Sequence, residues 1–313
     1  MYGFDLTGYD MPPYRPPSEA GSVLIRASRG CPWNRCEFCT MYKELKFQPK
    51  PLEEVKGDID KAAGLYRGAR TIFIGDSDSL ALKDIAQMVS YMRERFPDVE
   101  RITSYARAKT LMRLGPGKLK RIREAGLTRV HVGLESWDAR TLELMAKGAT
   151  PEEMVAGGKA AKEAGFELCF YVLVGAGGKA RLEEHALGSA KVCNAVNPDF
   201  IRLRTLVVQR GSLLEKKRKD RTYVPTSPVE KLKEVKLFVE NLELEDCELS
   251  SDHLTNNIWV ENRTVYSGVF GTLPDDKKKM LGILSDTLEF LSVVEGKVYD
   301  ATMLYDMGAI TSL

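Results

Sequence analysis

Cys31, Cys36 and Cys39 fall within nine residues of a 313-residue chain, in the run Arg29-Gly-Cys-Pro-Trp-Asn-Arg-Cys-Glu-Phe-Cys39, with no fourth thiol or imidazole close by in sequence. A structural zinc site is normally closed by four protein ligands, and a ferredoxin cluster likewise takes four thiolates. A cubane [4Fe–4S] cluster held by three cysteines leaves one iron open to a small molecule, so the pattern points to a reactive centre. The other cysteines read differently. Cys193 lies on an apolar stripe with Ala186 and Ala190, and Cys169 sits inside an apolar run, both typical of small buried hydrophobes. Cys247 has no such context, but one extra cysteine cannot build a second cluster.

Further polar groups fall where chemistry can be done. In Val130-His-Val-Gly-Leu-Glu-Ser136, alternation places His131, Gly133 and Glu135 on one face of a strand and Val130, Val132 and Leu134 on the other. The run Ser250-Ser-Asp-His-Leu-Thr-Asn-Asn257 concentrates groups that bind or move protons, with His253 and Asp252 the acid–base candidates; the alternative is a turn with a capping histidine. Arg202 and Arg204 alternate on a strand, able either to clamp a carboxylate or phosphate or to form outward salt bridges. His185, within a helical stripe, reads as surface or helix packing.

The elements that must position these residues alternate between apolar strand-like runs and helical stripes, the pattern of βα units with a parallel sheet. Strand candidates are Val23–Ala27, Thr71–Gly75, Val99–Tyr105, Arg129–Glu135, Glu167–Val174 and Phe200–Val207. Helical spacing joins Leu52, Val55, Ile59, Ala62 and Tyr66, and again Ile85, Met88, Val89, Met92 and Phe96. Thr150-Pro-Glu-Glu153 and Ser227-Pro-Val-Glu230 each read as a capping box with proline at the first helical position. Six strands predict an α/β fold: a partial (β/α)6 TIM-like barrel of parallel strands with a mainly helical C-terminal extension. The expected divisions are an N-terminal extension (1–21), the barrel (22–215) and an extension covering it (216–313). The charged stretch 215–221 reads as a solvated connection between the last two, and residues 250–272 as an irregular polar segment.

Bulk properties narrow the function. Lys and Arg number 46 against 44 Asp and Glu, a balance that gives no overall field to attract nucleic acid or an anionic membrane. A small-molecule substrate is therefore expected rather than RNA. No run approaches the roughly 20 apolar residues of a membrane span, and the first residues lack a signal-peptide pattern, so a cytoplasmic protein is expected. Six cysteines are too few for a disulfide framework in a chain of this length.

The cysteine run, with Phe38 before its last cysteine, resembles the radical S-adenosylmethionine (SAM) superfamily, in particular its Elp3-, MiaB- and HemN-like branch, over roughly the first three quarters of the chain. The spacing Cys-x4-Cys-x2-Cys departs from the usual three residues in the first gap. The resemblance implies a [4Fe–4S] cluster on Cys31, Cys36 and Cys39, with SAM at the open iron. It implies Gly75 and Asp76 at the SAM amino group, Glu135 at the ribose with Ser104 a further candidate, and Lys147 at the carboxylate. The alternative for Lys147 is a surface helix end. Gly175, in Val172-Leu-Val-Gly-Ala-Gly-Gly178, matches the glycine turn near the adenine, although Tyr171 stands where HemN-like relatives carry an acid. The implied activity is reductive cleavage of SAM to a 5′-deoxyadenosyl radical that abstracts hydrogen from a substrate, with an electron donor such as flavodoxin or ferredoxin. No cobalamin-binding or cysteine-rich auxiliary domain is legible, which points away from cobalamin-dependent methylation. The reading from another class is a non-catalytic carrier on the same fold, such as a haem chaperone.

Overall fold

The computed structural model describes residues 14–310, so most of the expected N-terminal extension, and the first residues read for a signal peptide, lie outside it. In chain order, β1 (Val23–Arg26) is followed by β2 (Ser28–Arg29) and β3 (Gln48–Pro49), a short antiparallel pair flanking the cysteine loop. Then come α1 (Leu52–Leu65), β4 (Thr71–Gly75), α2 (Ile85–Arg95), β5 (Arg101–Ala106), α3 (Ala108–Glu124) and β6 (Arg129–Glu135). The chain continues through α4 (Ala139–Leu144), α5 (Pro151–Glu163), β7 (Glu167–Val174), α6 (Leu182–Val196), β8 (Phe200–Thr205), α7 (Leu213–Lys219) and α8 (Pro228–Glu240). It closes with β9 (Cys247–Ser250), β10 (Ile258–Val260), β11 (Arg263–Tyr266), β12 (Phe270–Leu273), α9 (Lys277–Val293), β13 (Val298–Asp300) and α10 (Ala301–Asp306).

The main sheet has eight strands in the order β1-β4-β5-β6-β7-β8-β9-β12. The pairs β1–β4, β4–β5, β5–β6, β7–β8 and β8–β9 are parallel, and β9–β12 is antiparallel. The six strands read from sequence are β1, β4, β5, β6, β7 and β8; the sheet extends past them by two strands from residues 216–313. The stretch 250–272 is accordingly less irregular than expected, since it holds β10 and β11, which join β13 in a three-stranded antiparallel sheet, and most of β12. These strands have three or four residues, too short for alternation to stand out. Both capping boxes form. Ser227 accepts from the Glu230 N–H and Glu230 returns the bond, and Thr150 and Glu153 exchange bonds of 3.0 and 3.3 Å. Residues 213–219, expected in part as a solvated connection, fold as α7 because Ser212 caps the helix by accepting from the Glu215 N–H.

The chain divides into two compact units. The first comprises residues up to Asn34, Met41–Val132 and Ala156–Leu168, and the second Arg35–Thr40, Gly133–Val155 and Cys169 onward. In the first, Phe73, Tyr105 and His131 from three neighbouring strands meet edge to face, with centroids 5.2 to 6.3 Å apart. Beneath them, where β4 and β5 begin, Glu19 is fully buried. Its carboxylate accepts from Ser22 Oγ (2.6 Å), meets His131 Nε2 at 3.3 Å and pairs with Arg101 at 3.4 Å. Burial alone would raise its pKa. The bonds from His131 and Ser22 and the neighbouring positive charges outweigh that, lowering it to about 2. Because the folded value lies below the unfolded 4.5, this carboxylate stabilises the fold fully above pH 4.5 and loses its effect as pH falls toward 2.

Replacing Glu19 by alanine strands a buried imidazole and removes the partner of the partly exposed Arg101 guanidinium, and should cost about 3 kcal/mol in urea denaturation at neutral pH. The variant should also lose part of the acid sensitivity that the wild type shows below pH 4.5. Equal stability and an unchanged pH profile would refute this role for Glu19.

Candidate active site

The first unit supplies the entry to the cysteine loop. Gly30, with φ +81°, is held at both backbone groups: its N–H donates to Asp76 Oδ2 (2.9 Å) and its C=O accepts from Ser77 Oγ (3.0 Å). A side chain at Gly30 would also press on Lys46 O at 3.1 Å, so the positive φ and the close approach both require glycine. Asp76, 3% exposed, lies 3.9 Å from Arg26 as well. The turn after β4 thereby fixes the residue preceding Cys31. The loop's extra length is used too: Asn34 adopts φ +47°, directs its N–H to Cys31 Sγ (3.4 Å), and bonds through its amide to Tyr42 O and Leu45 O. Trp33 lies under the Arg107 guanidinium, 5.0 Å from ring centre to Cζ. Asp78, two residues after Asp76, accepts from the Arg107 N–H and Thr110 Oγ1 where α3 begins. Ser104 stands apart from these groups. It is fully buried on the strand face opposite Tyr105, and its hydroxyl donates to Ile74 O (3.1 Å).

The second unit holds the rest of the loop. The Glu37 N–H donates to Met145 O (3.0 Å), its C=O accepts from the Leu214 N–H (3.0 Å), and its carboxylate meets Lys217 at 2.7 Å. Lys217 also donates to Leu144 O (2.8 Å). Thr40, beside Cys39, bonds Gln209 beyond the end of β8. Phe38 packs on Met145, Ala176, Leu206, Val208, Leu214 and Tyr223. Thus α7 anchors the segment bearing Cys36 and Cys39, a role its high charge hides in the sequence.

Glu135 and Lys147 form an ion pair of 2.9 Å with both side chains largely buried, so Lys147 is not a surface helix end. The end of β6 turns sharply, with Glu135 at φ +61° and the Ser136 N–H closing on Leu134 O (2.8 Å). This is a γ-turn of the rarer, strained hand. Lys147 is aimed by the end of α4, where Ala146 at φ +49° permits Lys147 N–H to Leu142 O and Ala146 N–H to Glu143 O bonds, a Schellman closure. Gly133 leaves the pair its room, since a Cβ there would lie 2.2 Å from Glu135 Oε1 and 2.8 Å from Lys147 Nζ.

At the glycine turn after β7, Gly175 (φ +87°) donates its N–H to Glu234 Oε1 (2.8 Å) and accepts at its C=O from Tyr223 Oη (2.7 Å). Glu234 also meets His185 Nε2 at 3.2 Å, and His185 Nδ1 lies 2.7 Å from Ser136 Oγ. His185, 1% exposed, is therefore a buried bridge and not a surface group. Sequence reasoning missed Glu234 and Tyr223. The available signal was a carboxylate within the apolar stripe of α8, among Leu232, Val235 and Phe238.

After β9, Asp252 accepts from Ser250 Oγ (2.6 Å). Burial would raise its pKa, but this bond and the charges of Arg202 and Arg204 hold it below the usual range. His253 Nδ1 lies 2.8 Å from Thr255 Oγ1 and accepts from the Thr255 N–H, capping a short 3-10 turn. Burial, aided by Arg204, lowers its pKa to about 4, so the ring is neutral at pH 7.

No cysteine is disulfide-bonded. Cys31, Cys36 and Cys39 are half-buried, whereas Cys169, Cys193 and Cys247 are fully buried. Among the described residues no three His, Cys, Asp or Glu side chains converge as a single metal ion would require. Three thiolates of a cubane each bind a different iron and need no common point. Half-buried thiols on an anchored loop fit that donor set.

The profile of the radical SAM superfamily matches residues 25–186, over half of the chain, and the chain belongs to that superfamily. An uncharacterised methyltransferase of Pyrococcus horikoshii is 24% identical over 165 residues, covering 52% of this chain and 35% of the relative. The chain thus matches about a third of that relative's length. Methylornithine synthase aligns with a TM-score of 0.51 at 18% identity, over 72% of this chain and 64% of the other. The radical SAM methyltransferase TsrM of Kitasatospora setae, solved with cobalamin and a [4Fe–4S] cluster, gives 0.51 at 17% identity, over 66% and 41%. At these identities the likeness establishes the fold, an α/β partial TIM-like barrel. Family membership makes the protein a radical SAM enzyme with a [4Fe–4S] cluster and SAM as cofactors; enzymes of the family typically need a reductant and a substrate. Among the described residues no helix is long and apolar enough to cross a membrane.

If Asp76 positions Cys31 through Gly30, Asp76→Ala should weaken cluster retention roughly tenfold, in line with other residues that orient metal ligands. Iron bound per chain after anaerobic reconstitution and challenge with a chelator measures this. Wild-type retention in the variant would contradict the role.

Proposed function

We propose that this enzyme cleaves SAM reductively at a cluster held by Cys31, Cys36 and Cys39, and uses the resulting radical on a small-molecule substrate. The observation that carries the reading is the loop itself: three half-buried thiols on a segment fixed at Gly30 and Glu37, in a chain of the radical SAM superfamily. The chemistry supplied by the bound cofactors is one-electron cleavage of SAM and hydrogen abstraction by a 5′-deoxyadenosyl radical.

In this reading the residues of the chain bind and orient. Gly75 and Asp76 border the SAM amino group, with Asp76 also keeping the loop in place. Lys147 takes the SAM carboxylate and Glu135 the ribose hydroxyls, and their ion pair preorders both groups. Gly175 receives the adenine on a turn whose N–H and C=O are already fixed by Glu234 and Tyr223. Phe38 holds the cysteine segment against the apolar core. Ser104, with its hydroxyl committed to Ile74, is left out of the SAM site. His253 and Asp252 are assigned to the substrate. At neutral pH they present a neutral imidazole and a carboxylate, placed to hydrogen-bond a substrate more than to take its proton, since both pKa values are lowered. A one-electron donor such as flavodoxin or ferredoxin supplies the reducing equivalent.

Reconstituted anaerobically and reduced with dithionite, the protein should form 5′-deoxyadenosine and methionine from SAM, and Cys36→Ala should abolish this. Lys147→Met should raise the SAM dissociation constant roughly tenfold through loss of a charge-assisted hydrogen bond. Absence of 5′-deoxyadenosine from wild-type protein carrying a full cluster would overturn the proposal.

A further inference from the structure

Charge is balanced over the whole chain but not along it. Residues 101–129 hold nine of the 46 Lys and Arg and one of the 44 Asp and Glu, so the rest of the chain is net acidic. Arg101 and Arg129 are matched by Glu19 and Glu167, and Arg123 donates to Gly165 O (2.8 Å). Arg113, Lys118, Lys120 and Arg121, all on α3, are exposed and pair with no carboxylate among the described residues. The charge thus continues along the helix on both sides of the break at Gly115 and Pro116.

Within the first unit this helix begins at the cysteine loop. The turn after β4 fastens both: Asp76 and Ser77 grip Gly30, while Asp78 accepts from the Arg107 N–H and Thr110 Oγ1. Arg113 follows Thr110 by less than one helical turn. On the other strand of the loop, the Lys46 carbonyl sits against Gly30 and the Lys46 side chain is exposed, with no carboxylate partner among the described residues and one exposed acid, Glu44, nearby in sequence. No large hydrophobic side chain between residues 101 and 125 is exposed. Permanent interfaces are more apolar than this, whereas electron-transfer encounters are small and transient. Single-stranded nucleic acid is held by aromatic platforms set among cations, and α3 has no aromatic residue, so an acidic protein fits this face better than RNA.

We propose that Lys46 and the basic face of α3 dock an acidic one-electron carrier protein beside the cysteine loop. This rests on the reading of that loop as the holder of a redox cluster, and adds the surface by which the electron arrives. In the docked pair one electron leaves the reduced carrier and enters the oxidised cluster, and no bond is made or broken. Lys46 and Arg113 meet the carrier next to the loop. Lys118, Lys120 and Arg121 extend the field that draws it in, since a surface of one sign raises the association rate of an oppositely charged partner.

Isothermal titration of the cluster-reconstituted protein with flavodoxin, an acidic carrier, tests the proposal, and stopped-flow bleaching of the cluster by reduced flavodoxin gives the rate. The wild type should bind, and raising salt to about 0.5 M should weaken binding at least tenfold by screening. Lys46→Glu with Arg113→Glu should weaken binding and slow bleaching at least tenfold, and Lys118→Glu with Arg121→Glu about threefold, with bleaching by dithionite left within twofold in each. Lys278→Glu with Lys279→Glu, the same charge change at exposed positions of α9, should behave as wild type. Iron content and circular dichroism check each fold, and Lys46→Gln with Arg113→Gln, expected to lose several-fold, serves if the reversed pair does not fold. Failure of the wild type to bind flavodoxin, or unchanged binding in the Lys46→Glu, Arg113→Glu protein, would overturn the docking surface. So would binding of a mixed-sequence single-stranded RNA, lost in that variant, without binding of flavodoxin. 5′-Deoxyadenosine formation with dithionite reads the reaction assignment separately: flavodoxin binding that depends on Lys46 and Arg113 without SAM cleavage would sustain the docking surface and defeat the reaction.

Discussion

Gly30 and Glu37 carry the constraint on which the site depends. A loop of nine residues with three thiols has many conformations, and most cannot present those thiols to a cluster. Here the backbone before the first cysteine is gripped by Asp76 and Ser77, while the backbone beside the second is gripped by Met145 and Leu214. Each grip satisfies both an N–H and a C=O. Backbone polar groups that are buried must find such partners, and here their satisfaction also fixes the three-cysteine segment. The longer first gap is used the same way, since Asn34 ties its middle to Tyr42 and Leu45 and points an N–H at Cys31 sulfur. Hydrogen bonds to cluster sulfurs are one of the levers by which a protein sets reduction potential.

Buried charge elsewhere is handled with equal economy of partners. Glu19 is matched by His131, Ser22 and Arg101, Glu135 by Lys147, Glu234 by His185 and the Gly175 N–H, and Lys231 by Asp300 at 2.6 Å. Such pairs do not by themselves make a protein more stable than an apolar core would, because desolvation offsets much of the attraction. What they do is penalise any arrangement in which the partners separate. Glu234 and Tyr223 therefore define the glycine turn, and Glu135 with Lys147 defines the end of β6.

β1 and β4 to β8 were legible because each is an apolar or alternating run between polar turns. β4, β6 and β7 have the bounds expected from residue pattern alone. Proline and glutamate at fixed offsets likewise announced α5 and α8. The later strands were not legible, being three or four residues long and defined by pairing distant in sequence. The cysteines stood out by type and spacing, whereas Glu135 and Lys147 were named only through the resemblance to the superfamily, and their ion pair was not foreseen. Asp76 was read as a ligand for a cation; its bond to Gly30 depends on a contact across 46 residues that no local pattern encodes. The charged run of α7 looked solvated because charge is visible in a sequence, whereas the Glu37 carboxylate and Leu144 carbonyl that Lys217 meets are not. Ser104 shows the limit from the other side: a polar residue at the right strand, on the face where it meets only backbone.

The central claim is that three thiolates leave an iron accessible and that SAM occupies it. Electron paramagnetic resonance of the dithionite-reduced, reconstituted protein addresses this directly. A reduced [4Fe–4S] signal whose g-values shift when SAM is added, and not when methionine-free buffer is added, is the predicted result. A cluster signal indifferent to saturating SAM would contradict the account.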